Sequence, residues 1–131
     1  MVTDPGATSS PRVLVVEDEE AVGEILADVL ADAGYEVRRA RNGREGLRLI
    51  GAWLPQVIIL DLMMPMMDGF TFRAEQRRLG GREAAVPVIV LSGAREMRAR
   101  TRELQAVEAI SKPFDLDDVV AAVERWTQTR R

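Results

Sequence analysis

A four-residue aliphatic run that ends on an acid constrains the fold most strongly. Val57–Leu60 reads Val-Ile-Ile-Leu and leads directly into Asp61. The run is too short for a helix and is apolar on both faces, which is typical of a central strand in a parallel sheet. Similar runs at 12–16 and 86–91 predict two more buried strands. Because both faces of such a sheet must be covered, helices are expected between the strands.

Helical patterns do alternate with these runs. The clearest helix follows the first strand, where apolar residues recur at helical spacing and a stop residue comes next: Val22, Ile25, Leu26, Val29, Leu30 and then Gly34. Further helices are predicted after Asn42-Gly43, at about 70–79, at 94–106 and from Asp115, with short strands at 35–39 and 109–110. Five strands and five helices in alternation predict an α/β fold with a parallel sheet and right-handed crossovers.

Length and composition limit the possible chemistry. The chain has 131 residues, enough for one domain, which we expect at 12–127 between a flexible tail at 1–11 and a short tail at 128–131. It contains no Cys and no His, which excludes disulfides, thiolate catalysis, histidine bases and the usual zinc sites. No apolar run is long enough to span a bilayer, so a cytoplasmic protein is expected. The net charge of -3 gives no reason to expect direct nucleic-acid binding.

Reactive side chains follow four of the five predicted strands. Glu17 and Asp18 come after the first strand, Asp61 after the third, Ser92 after the fourth and Lys112 after the fifth. In open α/β sheets, ligands bind outside the carboxyl ends of the strands. We therefore expect three carboxylates, one hydroxyl and one ammonium at a single edge of the sheet.

Three neighbouring carboxylates favour a bound cation, because without one they would raise each other's pKa values. All-oxygen ligands with room for water and phosphate oxygens favour Mg²⁺. Glu17, Asp18 and Asp61 are the expected ligands, Asp18 more directly than Glu17, and the backbone carbonyl of Met63 would complete the protein ligands. Taken singly, acids after a strand are most often helix N-terminal charges, as Glu19 and Glu20 are expected to be.

The same edge could hold a phosphoryl group. Lys112 is the only lysine among 18 basic residues, which suggests a need for a compact ammonium, although chance would explain one lysine equally well. With the cation, it would neutralise the phosphoryl oxygens while Asp61 acts as the nucleophile. Ser92 would donate a hydrogen bond to a phosphoryl oxygen and move inward. Ser-Gly and Lys-Pro are otherwise ordinary turn and loop sequences.

Four segments in order resemble the receiver domain of two-component response regulators. They are Val-Leu-Val-Val-Glu-Asp-Glu (13–19), Val-Ile-Ile-Leu-Asp-Leu-Met-Met-Pro-Met-Met-Asp-Gly (57–69), Val-Ile-Val-Leu-Ser-Gly (88–93) and Ser-Lys-Pro-Phe (111–114). The resemblance covers about residues 12–125, and it implies a single receiver domain like that of a chemotaxis regulator. It implies a flavodoxin-like, doubly wound sheet of order 2-1-3-4-5 and a cis Lys112-Pro113 bond. It also implies phosphotransfer to Asp61 from a histidine kinase or histidine phosphotransfer protein, followed by slow self-catalysed hydrolysis.

The predicted output face departs from the family pattern. Many receivers carry Tyr or Phe three residues before the lysine, where this chain has Ala109. The usual ring is therefore missing from the signal relay, and output is expected to depend on backbone and helix movement. Arg95, Arg98, Arg100 and Arg102 lie on the same predicted face, either as a solvated helix surface or as a contact for an acidic partner.

Two other functions remain alternatives at this point. A receiver-like adaptor that is never phosphorylated would be favoured by Ala109, although the acids and the lysine are all retained. A hydrolase of small phosphate esters would need a second acid two positions after Asp61, where the chain has Met63. We therefore expect a phosphorelay signalling protein that catalyses only its own phosphotransfer and dephosphorylation.

Overall fold

The computed structural model describes residues 10–64, 67–93 and 102–128. Its strands are β1 (Arg12–Val16), β2 (Glu36–Ala40), β3 (Val57–Asp61), β4 (Val88–Gly93) and β5 (Glu108–Lys112). Its helices in these ranges are α1 (Glu20–Asp32), α2 (Gly43–Trp53), α3 (Gly69–Arg78), α4 (Gly81–Ala85) and α5 (Leu116–Gln128). Residues 102–104 are also helical. Most of the tail expected at 1–11, most of the helix expected at 94–106 and residues 129–131 lie outside the described residues.

The five strands form one parallel sheet of order β2-β1-β3-β4-β5, so the order that the resemblance implied is confirmed. Strand β4 begins at Val88 rather than at Val86, because Pro87 has no N–H to give to a ladder. It runs on through Ser92 and Gly93, which pair with the last two residues of β5. No helix among the described residues is long and apolar enough to cross a membrane.

Alternate strand residues build two separate cores, one on each face of the sheet. Leu14, Ile58 and Val90 point to the face covered by α2 and α3, where they pack with Ile50 and Phe72. Their neighbours in sequence point to the face covered by α1 and α5, in a cluster that includes Val13, Val15, Ile59, Ile89, Leu91, Leu26, Leu30, Val119 and Val123. The aliphatic runs of β1, β3 and β4 are therefore apolar at consecutive positions because these three strands are buried on both sides.

The first residue of helix α3 contacts the loop that follows β3. The side chain of Asp68 caps it by accepting a hydrogen bond from the Thr71 N–H at 2.9 Å, which explains why the helix starts at Gly69 rather than at Phe70. The Gly69 N–H donates to the Leu62 carbonyl at 3.1 Å. A Cβ at Gly69 would lie 2.5 Å from Leu62 Cδ2 and 2.9 Å from Leu62 Cα. Only glycine therefore lets the helix approach this loop so closely.

We predict that Gly69→Ala lowers the free energy of unfolding by about 1–3 kcal/mol, because the new methyl group would meet the backbone of Leu62. Gly51→Ala is the matched control, since a Cβ there has no neighbour within 4 Å and α2 gains helix propensity. It should raise the free energy by up to about 1 kcal/mol. Urea unfolding measures both, and equal stability of the two variants would contradict the close packing of α3.

Candidate functional site

Three carboxylates lie together at the carboxyl edge of the sheet. Glu17 follows β1 and Asp61 ends β3, and each is only 2% exposed, whereas Asp18 is exposed. One oxygen from each of the three carboxylates lies within 4.8 Å of the other two. The structure therefore brings together the three acids that the sequence analysis selected.

Lys112 reaches the same place from β5. Its Nζ donates to Asp61 Oδ1 at 3.1 Å, and the Lys112-Pro113 bond is cis, as the resemblance implied. The Met63 N–H donates to the same Oδ1, also at 3.1 Å, while the Met63 side chain is 68% exposed. The sequence pattern pointed to the Met63 carbonyl and carries no signal for this N–H. An ammonium and an amide thus fix one oxygen of Asp61 in place.

Glu17 is a buried carboxylate whose negative charge is only partly stabilised by its surroundings. Its Oε2 accepts a hydrogen bond from the Glu19 N–H at 3.2 Å, but its buried Oε1 has no hydrogen-bond partner among the described residues. Burial raises the pKa of Glu17 to about 7, and the nearby charge of Asp61 adds to the rise. The Glu19 N–H and Lys112 lower this pKa in part. A buried carboxylate oxygen without a donor, beside a second carboxylate, suits a cation.

The three acids have the chemistry of a site for a small, hard divalent cation. They offer only oxygen ligands, and Asp18 keeps the cluster open to solvent, so water molecules and a substrate oxygen could complete the coordination. A cation would give Glu17 Oε1 a partner and would offset the repulsion between Glu17 and Asp61. The described residues therefore fit such a metal.

Ser92 lies at the same edge, one strand further along. The register places Leu91 opposite Asp61, so Ser92 stands one residue beyond the acid, and it is only 2% exposed. Further out, Ala109 is exposed on β5, and Arg102 is exposed as the first of the helical residues 102–104. Arg95, Arg98 and Arg100 lie outside the described residues.

A salt bridge that the sequence analysis missed ties β5 to α5. Both carboxylate oxygens of Glu108 accept hydrogen bonds from Arg125, at 2.6 and 2.8 Å, and Trp126 Nε1 donates to the same carboxylate at 2.8 Å. The hydrogen bond from Arg125 lowers the pKa of Glu108. Glu108 precedes Ala109, so this contact borders the predicted output face. Glu108 lies 17 residues before Arg125 in the sequence, and this spacing carries no signal.

The comparisons with known proteins agree with this geometry. Residues 13–124 match the sequence model of the response regulator receiver domain. The chain therefore belongs to the receiver domain family of two-component response regulators, whose members are signalling modules rather than classical enzymes.

Individual relatives support the assignment. The chain is 34% identical over 115 residues to the DNA-binding dual master transcriptional regulator RpaA of Synechocystis sp., covering 86% of this chain and 47% of RpaA. It is 35% identical over 123 residues to the regulatory protein AtoC of Escherichia coli, covering 92% of this chain and 26% of AtoC. The receiver domain of the Francisella response regulator 1452 superposes with a TM-score of 0.85 at 26% identity, covering 93% of this chain and 100% of that one. The chain thus spans less than half the length of these two curated relatives.

We predict that Mg²⁺ binding weakens as the pH falls below about 7, because the cation must displace the proton that Glu17 then holds. If one proton is displaced, the decrease in affinity should approach about tenfold for each unit by which the pH is lowered. Isothermal titration in two buffers of different ionisation enthalpy would measure both the affinity and the protons released. An affinity that is constant with pH, with no proton release, would contradict a cation bound at Glu17.

We predict that Glu17→Gln stabilises the cation-free protein at about pH 8 and has much less effect near pH 4. The folded state raises the pKa of Glu17 above its ordinary value, so the native carboxylate costs stability as the pH rises from about 4.5 to about 7. Thermal unfolding in a chelator measures the effect. Glu24→Gln, at an exposed position of α1, is the control and should change little. A Glu17→Gln variant that is less stable at about pH 8 would disprove the expected sign.

Proposed function

We propose that this chain is the phosphoacceptor switch of a two-component phosphorelay, with Asp61 as the residue that is phosphorylated. The observation that carries the proposal is the contact of 3.1 Å between Lys112 Nζ and Asp61 Oδ1 beside the cluster of Glu17, Asp18 and Asp61. Membership of the receiver family supports it. A histidine kinase or a histidine phosphotransfer protein would donate the phosphoryl group.

The acidic cluster would hold Mg²⁺ through Glu17, Asp18 and Asp61 and the backbone carbonyl of Met63. When bound, Mg²⁺ supplies positive charge that stabilises the phosphoryl oxygens during transfer. Glu17 and Asp18 would hold this charge close to Asp61, and as ligands of the cation they would not compete with Asp61 as nucleophiles. Glu17 Oε1 has no hydrogen-bond partner in the part of the chain that the structure describes, which supports this assignment.

Asp61 would act as the nucleophile in the transfer. One carboxylate oxygen of Asp61 forms a bond to phosphorus, and the bond between phosphorus and the donor histidine nitrogen breaks, with its electron pair remaining on the imidazole. Lys112 is already paired with Asp61 Oδ1 and would also attract the incoming phosphoryl oxygens. Ser92 would donate a hydrogen bond to one of them. Attack by water on the phosphorus atom would then break its bond to the Asp61 oxygen, release inorganic phosphate and restore the free carboxylate.

Phosphorylation would change what the chain binds. The proposed unit is 12–127, and the proposed output face includes Ala109, Arg102, Arg95 and Arg98. RpaA is described as a DNA-binding regulator, and we propose for this chain a protein partner instead, because its net charge is -3 and the arginines suit an acidic surface. Exposed Ala109 is the one observation that favours a phosphorylation-independent adaptor, and the intact acidic cluster with its lysine opposes it.

The test is phosphorylation by acetyl phosphate, read by intact mass. We expect the wild-type chain to gain one phosphoryl group only when Mg²⁺ is present, and Asp61→Asn to gain none. Lys112→Ala should be phosphorylated at least about tenfold more slowly, because a charge-assisted contact to the reacting oxygens is lost. Asp68→Asn is a matched control in the same loop, since asparagine also caps a helix and the site is left intact.

Two results would overturn the proposal. One is the absence of any mass gain under conditions that modify a known receiver. The other is a gain that persists in Asp61→Asn, which would move the phosphoacceptor elsewhere.

A further inference from the structure

Helix α3 contains a buried cation that the proposed chemistry does not use. Arg73 is only 8% exposed, and its Nε donates to the Leu104 carbonyl at 2.8 Å while Nη2 donates to the Gln105 carbonyl at 3.3 Å. These carbonyls lie where the helical residues 102–104 end. Among the described residues, no carboxylate lies within ion-pair distance of Arg73. Burial, with a smaller contribution from Arg77, lowers the pKa of Arg73.

Gln76 extends this contact into a network. Arg73 Nη1 donates to Gln76 Oε1 at 2.7 Å, and Gln76 Nε2 donates to the carbonyls of Glu83 at 2.9 Å and Val86 at 3.2 Å. Gln76 is fully buried. One arginine and one glutamine thus connect α3 to α4, to the approach to β4 and to the end of the helical residues 102–104.

Stability alone is a weak explanation for this network. Removing a guanidinium from water and giving it only neutral carbonyls costs free energy, which a helix C-terminus offsets in part. Apolar side chains often replace buried charged groups without loss of stability. The distinctive property of an arginine here is its fork of donors, which holds several backbone groups in one relative position.

The opposite end of α3 lies on the candidate site. The Gly69 N–H donates to the Leu62 carbonyl, and a Cβ at Gly69 would come within 3.4 Å of the Asp61 carbonyl oxygen. Arg73 follows Gly69 by about one helical turn. A single helix therefore contacts the loop after Asp61 at its start and holds Leu104 and Gln105 further along, three residues before β5 begins at Glu108.

We propose that Arg73 is a positioning residue that couples the state of Asp61 to residues 102–108 through α3. A change in the loop after Asp61 moves the start of α3, and Arg73 passes that movement to the carbonyls of Leu104 and Gln105. This route reaches the strand that carries exposed Ala109 and needs no aromatic ring there. The inference rests on the proposed function, since it assumes that the state of Asp61 changes.

The test is hydrogen exchange by mass spectrometry on the full chain, with Mg²⁺ alone and with Mg²⁺ plus beryllofluoride as the phosphoryl analogue. In the wild type, we expect beryllofluoride to change the exchange rate of residues 102–108 by at least about fivefold, the lower end of usual allosteric couplings. In Arg73→Met, basal exchange there should rise and the change caused by beryllofluoride should disappear. Arg77→Met, at an exposed position of the same helix, should behave as the wild type.

The outcomes separate coupling from a purely structural role. If Arg73 only stabilises the fold, Arg73→Met raises basal exchange but keeps the full response to beryllofluoride, and the inference is wrong. It is also wrong if beryllofluoride protects residues 57–64 of the wild type without affecting residues 102–108. No protection of residues 57–64 in the wild type would overturn the proposed function, and the inference with it. Should Arg73→Met fail to fold, Arg73→Lys decides by the same criterion, because one ammonium cannot reproduce the fork.

Discussion

The burial of Glu17 and Asp61 side by side is the constraint on which the rest of the site depends. Both acids are almost inaccessible, and their repulsion is opposed within the protein mainly by Lys112 and by backbone N–H groups. Such an arrangement is poorly satisfied by the protein alone, as the raised pKa of Glu17 shows. The folded protein leaves the repulsion between these two carboxylates only partly compensated. A cation that binds here would relieve this repulsion, and its binding free energy would become more favourable, as is common in ion-binding sites.

The surrounding fold is what makes this burial tolerable. Glu17 and Asp61 lie at the ends of β1 and β3, two internal strands of the sheet whose side chains pack into both cores. Lys112 arrives from β5, the edge strand, and its side chain remains about one third exposed at 32%. The two carboxylates thus lie on internal strands, whereas the partly exposed ammonium lies on an edge strand, where it can adjust more easily. This is expected when a ligand must enter and leave.

The parallel sheet and the position of the site at the carboxyl ends of its strands could be predicted from the sequence, because local apolar patterns mark each buried strand. Strands β1, β3 and β4 are apolar on both faces and lead into polar residues, so Glu17, Asp61 and Ser92 could be placed at one edge by topology alone. Lys112 joined them because it ends the short strand β5. Other features depend on contacts that no pattern encodes. Helix α4 was missed because Gly80-Gly81 resembles a break, and both glycines do adopt positive φ. The burial of Arg73 was missed because an arginine in a weakly periodic helix resembles a surface residue.

The salt bridge between Glu108 and Arg125 has a consequence for how a partner would sense this protein. The bidentate contact, reinforced by Trp126, connects the last turn of α5 to Glu108, the first residue of β5. The contact therefore couples a displacement of the start of β5 to the end of α5. A partner protein that contacts only the exposed surface of α5 could therefore respond to a movement of β5. The surface on which a partner can detect that movement thus includes α5 as well as the strand.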